Sequence, residues 1–428
     1  MATRTGSADL PLHTGHVPHW LATRMASLGR VIVEAVVHHY GRDEVLRRLA
    51  HPFWFQSFGA VMGMDWHSSG VTTSVMGALK RGLQPVQSEL GLYVCGGRGR
   101  HSRRTPMELA QVGEWTGLDA TPLTRASRLV AKVDSAAVQD GFDLYLHAFI
   151  VSREARWCVV QQGMSASRRE ARRYHWLSEN LKSFLDSPHA AIEGRNQGKI
   201  VNLADARAAR SRQTGLALVQ KGPDLAIAHL RRLRESRNTN LSLFAEVVPS
   251  ATQDEEPISQ ATVFPHLHMP AHHDVRLSDV MLKRLHATLA SAAERGPKDF
   301  PELLLTPGVG ARTIASLALV AEVVYGTPAR FSDPARFSFA HGGKDGHPFP
   351  VPLHVYDETI RVLKGAMQRA KLGNSDRLAA IRRLDTQARA LENLATGPDF
   401  ESVLDEERIR SSTYGGRTVF GAEKFRWL

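Results

Sequence analysis

Two apolar segments set four residues apart constrain this 428-residue chain most. "DLYLHAFIVS" (143–152) and "WCVVQQGMS" (157–165) both have strand length, and "REAR" between them suits a hairpin. In the first segment Leu144, Leu146, Ala148 and Ile150 are interleaved with Tyr145, Phe149 and Val151. Both faces of that strand are largely apolar, so both must be covered, and its sheet lies inside a domain. The preceding sequence is helical in pattern. Met25, Leu28, Val31, Ile32, Ala35 and Val36 recur at three and four within 21–63; "DWHSSG" breaks the pattern and "VTTSVMGALKRGL" restarts it. "GLYVCGG" (91–97) reads as another strand, "RGRHSRRTP" (98–106) as a basic loop, and 166–240 as Arg-rich and mostly helical or irregular.

The expected class is α+β and predominantly helical, with a small central sheet in the N-terminal half. Residues 1–246 form a mixed α/β domain. The polar, Pro-containing stretch 247–260 is a linker, and 261–370 is a helical domain. Residues 371–428 hold an amphipathic helix, with Leu378, Ile381, Leu384, Leu391 and Leu394 on one side, and a tail.

Hydrophobic residues make up 43% of the chain and charged ones 23%, which fits folded cores rather than disorder. The net charge of +11 favours a polyanionic partner, nucleic acid first. Cys95 and Cys158 stand far apart, which excludes a disulfide framework and a Cys-based zinc site. The N-terminus lacks a signal-type apolar core, and no run nears the ~18 apolar residues of a membrane span. The expectation is a cytoplasmic protein, nucleoid-associated when bound to DNA, without membrane contact.

"LLLTPGVGARTIASLALVAEVV" (303–324) is a short loop between two apolar-periodic segments. Gly308 and Gly310 flank Val309, and glycines permit positive φ and close backbone approach. Ile314, Leu317, Ala318 and Ala321 then mark a packed helix face, so a second helix begins near Gly310. Its first amides form an anion site, joined by Arg312 and Thr313. The stretch resembles a helix-hairpin-helix motif, and that resemblance implies a sequence-independent grip on a DNA backbone. The plain alternative is an αα-turn. Glycosylases with this motif have a catalytic Asp about two dozen residues past the hairpin, and their lyase subclass has a Lys just inside the second helix. Here the Lys slot is Arg312 or its neighbours, none of them Lys, and Arg cannot form a Schiff base. Asp333 falls a few residues late and suits a cap or turn as well.

Other clusters carry candidate chemistry. Asp65, Trp66, His67, Ser68 and Ser69 precede a helix whose first turn holds Thr72 and Thr73. Ser68 or Ser69 caps that helix and helps form an anion site; Asp65 and His67 are a candidate base and partner, and Trp66 a base-recognition residue. "AKVDSAAVQDGFDLYLHAF" gathers Lys132, Asp134, Gln139, Asp140, Asp143 and His147. A Lys beside carboxylates suits nucleophilic or acid–base work, and Gln139, Gln161 and Gln162 can pair with a base edge. Arg98, Arg100, Arg103 and Arg104 read as phosphate contacts. Each cluster has a bland counterpart: a capped helix, an Asp-Gly turn with ion pairs, a solvated basic loop. His266, His268, His272, His273 and Asp274 match no zinc spacing, so no metal or other cofactor is expected. Lys344, in the Gly-rich "AHGGKDGHPFPVP", is a further DNA-contact candidate; that loop lacks the nucleotide-binding form.

Across about residues 4–370, "HPFWFQSFGAVMGMDWHSSGVTTSVMGALK", "KVDSAAVQDGFDLYLHAFI", "LHMPAHHDV" and "TPGVGARTIASLALVAEVVYG" resemble the archaeal and bacterial family catalogued as domain of unknown function 763. The resemblance implies that these clusters belong to one protein type and implies no particular chemistry.

The leading expectation is a DNA-binding repair enzyme, a glycosylase or glycosylase/lyase acting on a flipped modified base. A pocket built by residues 65–73 and 132–162 would take the base. Lys132 would be the Schiff-base nucleophile, and Asp140 or Asp134 would stabilise the cationic sugar or activate water. The alternatives are a nuclease binding Mg²⁺ through Asp134, Asp140 and Asp143, a non-catalytic DNA- or RNA-binding protein, and a basic enzyme acting on nucleotides.

Overall fold

A computed structural model of the chain describes residues 10–11, 19–64, 70–168, 170–233 and 279–335, with isolated stretches between 361 and 422. The elements run β1 (Leu10–Pro11), α1 (His19–Tyr40), α2 (Arg42–Ala50), α3 (Pro52–Val61), α4 (Gly70–Leu83), α5 (Gln87–Leu90) and β2 (Leu92–Arg98). Next come α6 (Arg100–Thr116), α7 (Ala120–Lys132), a π-helical turn (Val133–Ala137) and β3 (Val138–Gln139). Then follow β4 (Asp143–Ser152), β5 (Trp157–Ser165), β6 (Glu170–Leu177), β7 (Ala191–Glu193), β8 (Val201–Asn202) and α8 (Ala209–Gln220). A helical stretch at 223–233, α9, precedes α10 (Asp279–Arg295), α11 (Phe300–Leu305) and α12 (Ala311–Val323). The class is α+β and mostly helical, as the periodicity indicates. The expected linker at 247–260 and most of the helix expected after 371 lie outside the described residues.

The chain divides into two compact units. One comprises residues 1–131, 141–197 and 334–428; the other comprises 132–140 and 198–333. This division differs from boundaries drawn along the sequence, because 132–140 joins the later residues. Pairing of β3 with β8 (Val138 with Asn202, Gln139 with Val201) and a bond from the Leu203 amide to the Ala137 carbonyl (2.8 Å) tie them together.

In the first unit an antiparallel sheet runs β1-β6-β5-β4-β2, and β7 also pairs with β6. One face, with Leu146, Ala148, Ile150, Cys158 and Val160, joins a core built from α1–α4, where Ile32, Phe55, Phe58 and Leu79 are buried. On the other face Phe149 meets Trp157 at 5.2 Å between ring centroids, and Phe184 contacts both Trp157 and Trp176. The central strand is thus covered on both sides, for the reason its two apolar faces give. Cys95 and Cys158 are free and buried.

Two segments differ from the expectation their sequence gives. The stretch 166–240, expected to be mostly helical or irregular, contains strand β6 at 170–177, and the charges of that strand are inside. Arg173 has its guanidinium on Glu193, and also donates to Gln56 Oε1 (3.0 Å), Thr72 Oγ1 (3.3 Å) and His175 Nε2 (2.9 Å). His175 Nδ1 meets the Leu49 carbonyl at 3.0 Å, so the neutral Nδ1–H tautomer satisfies both contacts. Burial and the neighbouring Arg173 charge hold the His175 pKa well below the ordinary value, which keeps that neutral form. The stretch 98–106 is likewise not a loop: Arg98 ends β2, and after Gly99 the basic residues from Arg100 on form the first two turns of α6. Gly96 permits this docking, since a Cβ there would sit 2.2 Å from the His147 carbonyl oxygen and 2.3 Å from Thr105 Oγ1. Glu108 clamps the helix by accepting from the Gly96 amide (2.7 Å) and Lys80 Nζ (2.5 Å).

In the second unit α12 packs on α8 and α10 through a face that includes Ile314, Leu317, Ala318 and Ala321. Asp299 caps α11 by accepting from the Glu302 amide (2.7 Å), and Glu302 reaches back to the Lys298 amide (2.9 Å). Asp333 is buried, with its amide on the Gly198 carbonyl at 3.0 Å.

Candidate nucleic-acid interface

The loop between α11 and α12 is held in one shape by short-range bonds. The Thr306 amide donates to the Leu303 carbonyl, its hydroxyl to the Glu302 carbonyl (3.0 Å), and the Val309 amide to the Thr306 carbonyl (3.1 Å). Gly308 stands at φ +85°, a region costly for any residue with a Cβ. Gly310 behaves differently: its φ of −147° is extended backbone that any residue adopts, so positive φ is not its role. A Cβ on Gly310 would meet nothing within 4 Å. Pro307, Gly308, Ala311 and Arg312 are exposed, whereas Val309 and Thr313 turn their side chains inward. Any contact at Val309 would thus be through its backbone.

Lys132 and Gln139 grip this loop from the segment that crosses over at 132–140. Lys132 Nζ donates to the Val309 carbonyl. Gln139 Nε2 donates to the Ala311 and Ala136 carbonyls, both at 3.1 Å. Burial lowers the pKa of the half-buried Lys132 ammonium, because desolvation disfavours the charged form. Two clusters separate in sequence, the loop at 306–313 and the Lys132 segment, are therefore one arrangement within the second unit.

The remaining candidates are placed differently. Asp134 and Asp140 are buried. They belong to the second unit and Asp143 to the first. Among the described residues no group of three or more His, Cys, Asp or Glu is disposed to hold a metal ion. Gln161 and Gln162 are adjacent on β5 and point to opposite faces of the sheet. Gln161 Oε1 meets His147 Nδ1 at 2.6 Å, and His147 Nε2 meets Ser127 Oγ at 2.9 Å. All three are buried, so the chain Ser127–His147–Gln161 ties α7 to the sheet rather than facing solvent. Asp65, Trp66, His67, Ser68, Ser69, Lys344 and the His266–His273 cluster lie outside the described residues. Arg100, Arg103 and Arg104 are exposed on α6.

A family model supports the grouping of these segments. The family described as "Protein of unknown function (DUF763)" matches residues 6–351. The chain belongs to that family. No curated protein and no solved structure matches this DUF763 chain. Nearly all of its excess positive charge falls in the first unit, while acidic and basic residues nearly cancel in the second. No helix among the described residues is long and apolar enough to cross a membrane.

Proposed function

We propose that this protein binds DNA through residues 306–313, as a helix-hairpin-helix, and removes a modified or damaged base with Lys132 as the amine nucleophile. The observation that carries the reading is the bond from Lys132 Nζ to the Val309 carbonyl. It puts an amine of lowered pKa beside a loop suited to a phosphate backbone. The exposed Gly308, the open space at Gly310 and the start of α12 support backbone contact without sequence readout.

In the proposed reaction the neutral amine leaves the Val309 carbonyl and attacks the sugar C1′. The N-glycosidic bond breaks and the base departs with a proton. Loss of the amine's proton and opening of the ring give an imine, from which β-elimination cuts the strand. The carboxyl groups of Asp134 and Asp140, in the same segment, are the candidates for stabilising positive charge on the sugar. Gln139 positions the loop through Ala311. The setting that fits this activity is the cytoplasm, with the protein on the nucleoid when bound.

The test is borohydride trapping on duplexes that each carry one modified base or an abasic site. A covalent adduct is expected with the wild type and none with Lys132→Ala. Arg312→Ala is expected to weaken duplex binding with a shallower salt dependence. No adduct and no base release on any duplex, with Lys132→Ala and Arg312→Ala matching the wild type, overturns the reading.

A further inference from the structure

The outer face of α6 presents a stripe that the proposed chemistry does not use. Arg100, Arg104, Met107, Gln111 and Trp115 follow one another at helical spacing, and Arg103 flanks them. All are exposed, Trp115 at 65% and Met107 at 52%. The opposite face, with Thr105, Leu109 and Val112, is buried. The first turn holds no acidic residue, so three arginines crowd the positive end of the helix dipole. None of the three forms an ion pair among the described residues. On the exposed surface of this helix the carboxylate is Glu114, beside Trp115 at the far end.

We infer that this face binds a single nucleic-acid strand, with phosphates on Arg100, Arg103 and Arg104 and an unpaired base stacked on Trp115. Charge complementarity selects the partner. Unpaired cations at a helix N-terminus gain most from phosphate oxygens, which accept from both guanidinium groups and free amides. An exposed indole about 22 Å along the helix offers a stacking platform for any base. The inference rests on the nucleic-acid reading above and adds a surface in the other unit, where the basic excess lies.

The experiment measures binding of the full chain to a labelled single-stranded oligonucleotide and to its duplex across a salt series. Trp115→Ala should weaken single-strand binding roughly tenfold, and Trp115→Phe should keep most of it. Replacing Arg100, Arg103 and Arg104 with Ala should reduce the single-strand salt slope by about 2. These side chains are exposed, so unchanged thermal melting is expected. Arg312→Ala and Lys132→Ala are measured in parallel. If they lose duplex binding or adduct formation but keep single-strand affinity, the α6 surface stands by itself. If they match the wild type while Trp115→Ala loses the strand, the excision reading fails and this inference survives. Trp115→Ala binding the strand like wild type at every salt overturns it. So does a Trp115→Ala effect confined to self-association in sedimentation, which would make the face a protein interface.

Discussion

Lys132 and Val309, 177 residues apart, are joined by a hydrogen bond from the amine to the backbone carbonyl. The bond makes the last residue of α7 a support for the turn that precedes α12. Replacing Lys132 with Met keeps the stem and removes the donor. A loss of about 1–2 kcal/mol is expected in urea unfolding, with faster hydrogen exchange confined to 306–313. The sign with pH follows from desolvation. The folded pKa lies below the ordinary 10.5, so the unfolded chain binds more protons between the two values. Wild type should therefore gain stability relative to Lys132→Met as pH rises toward 10.5.

The two loop glycines should separate when each is changed to Ala. Gly308, at φ +85°, forces strain, and Gly308→Ala should cost about 1 kcal/mol or more in unfolding free energy. Gly310 is extended with open space around its missing side chain, so Gly310→Ala should leave stability within about 0.5 kcal/mol. A loss of duplex affinity in Gly310→Ala at unchanged stability would mean that the site keeps room for a phosphate. Unchanged affinity would remove Gly310 from the interface.

Glu322 on α12 is buried at 1% exposure, and among the described residues its Oε1 has no hydrogen-bond partner. Burial pushes its carboxyl up to about 7 from 4.5. The neutral form is favoured in the folded state, so its contribution is present in full below pH 4.5 and is lost as pH rises through 7. Stability should fall by up to about 3 kcal/mol across that window. Glu322→Gln should flatten the profile, as read by denaturation at several pH values.

The Arg173–Glu193 pair has both partners inside. Arg173→Met strands Glu193 and should cost about 3–5 kcal/mol. The double variant Arg173→Met with Glu193→Leu should recover much of that loss. A loss in the double variant equal to the sum of the Arg173→Met and Glu193→Leu losses would show that the pair is not coupled.

Periodicity made much of the fold legible. The limits of β4 and β5 coincide with the two apolar runs, and α1, α2 and α4 follow the three-and-four spacing of their buried residues, whereas α3 is buried all round. Strand β6 was illegible for a physical reason. "EARRYHWL" carries charges that look solvent-exposed, and Arg173 is tolerable inside only because Gln56, Thr72, His175 and Glu193 come to it from other elements. The start of α6 was hidden similarly, since Arg-dense sequence after Gly99 suits a loop until Gly96 and Glu108 dock it on the sheet.

For the candidate site, local pattern determined the loop at 306–310 and the start of α12. Those features depend on neighbours a few residues away: a glycine at positive φ and an apolar helix face. Only the tertiary structure decided that Lys132 meets that loop, that Gln161 and Gln162 face opposite ways, and that Asp134 and Asp140 are buried. Such outcomes depend on β3 pairing with β8 across a long stretch of chain, and the sequence pattern of neither strand specifies the other as its partner.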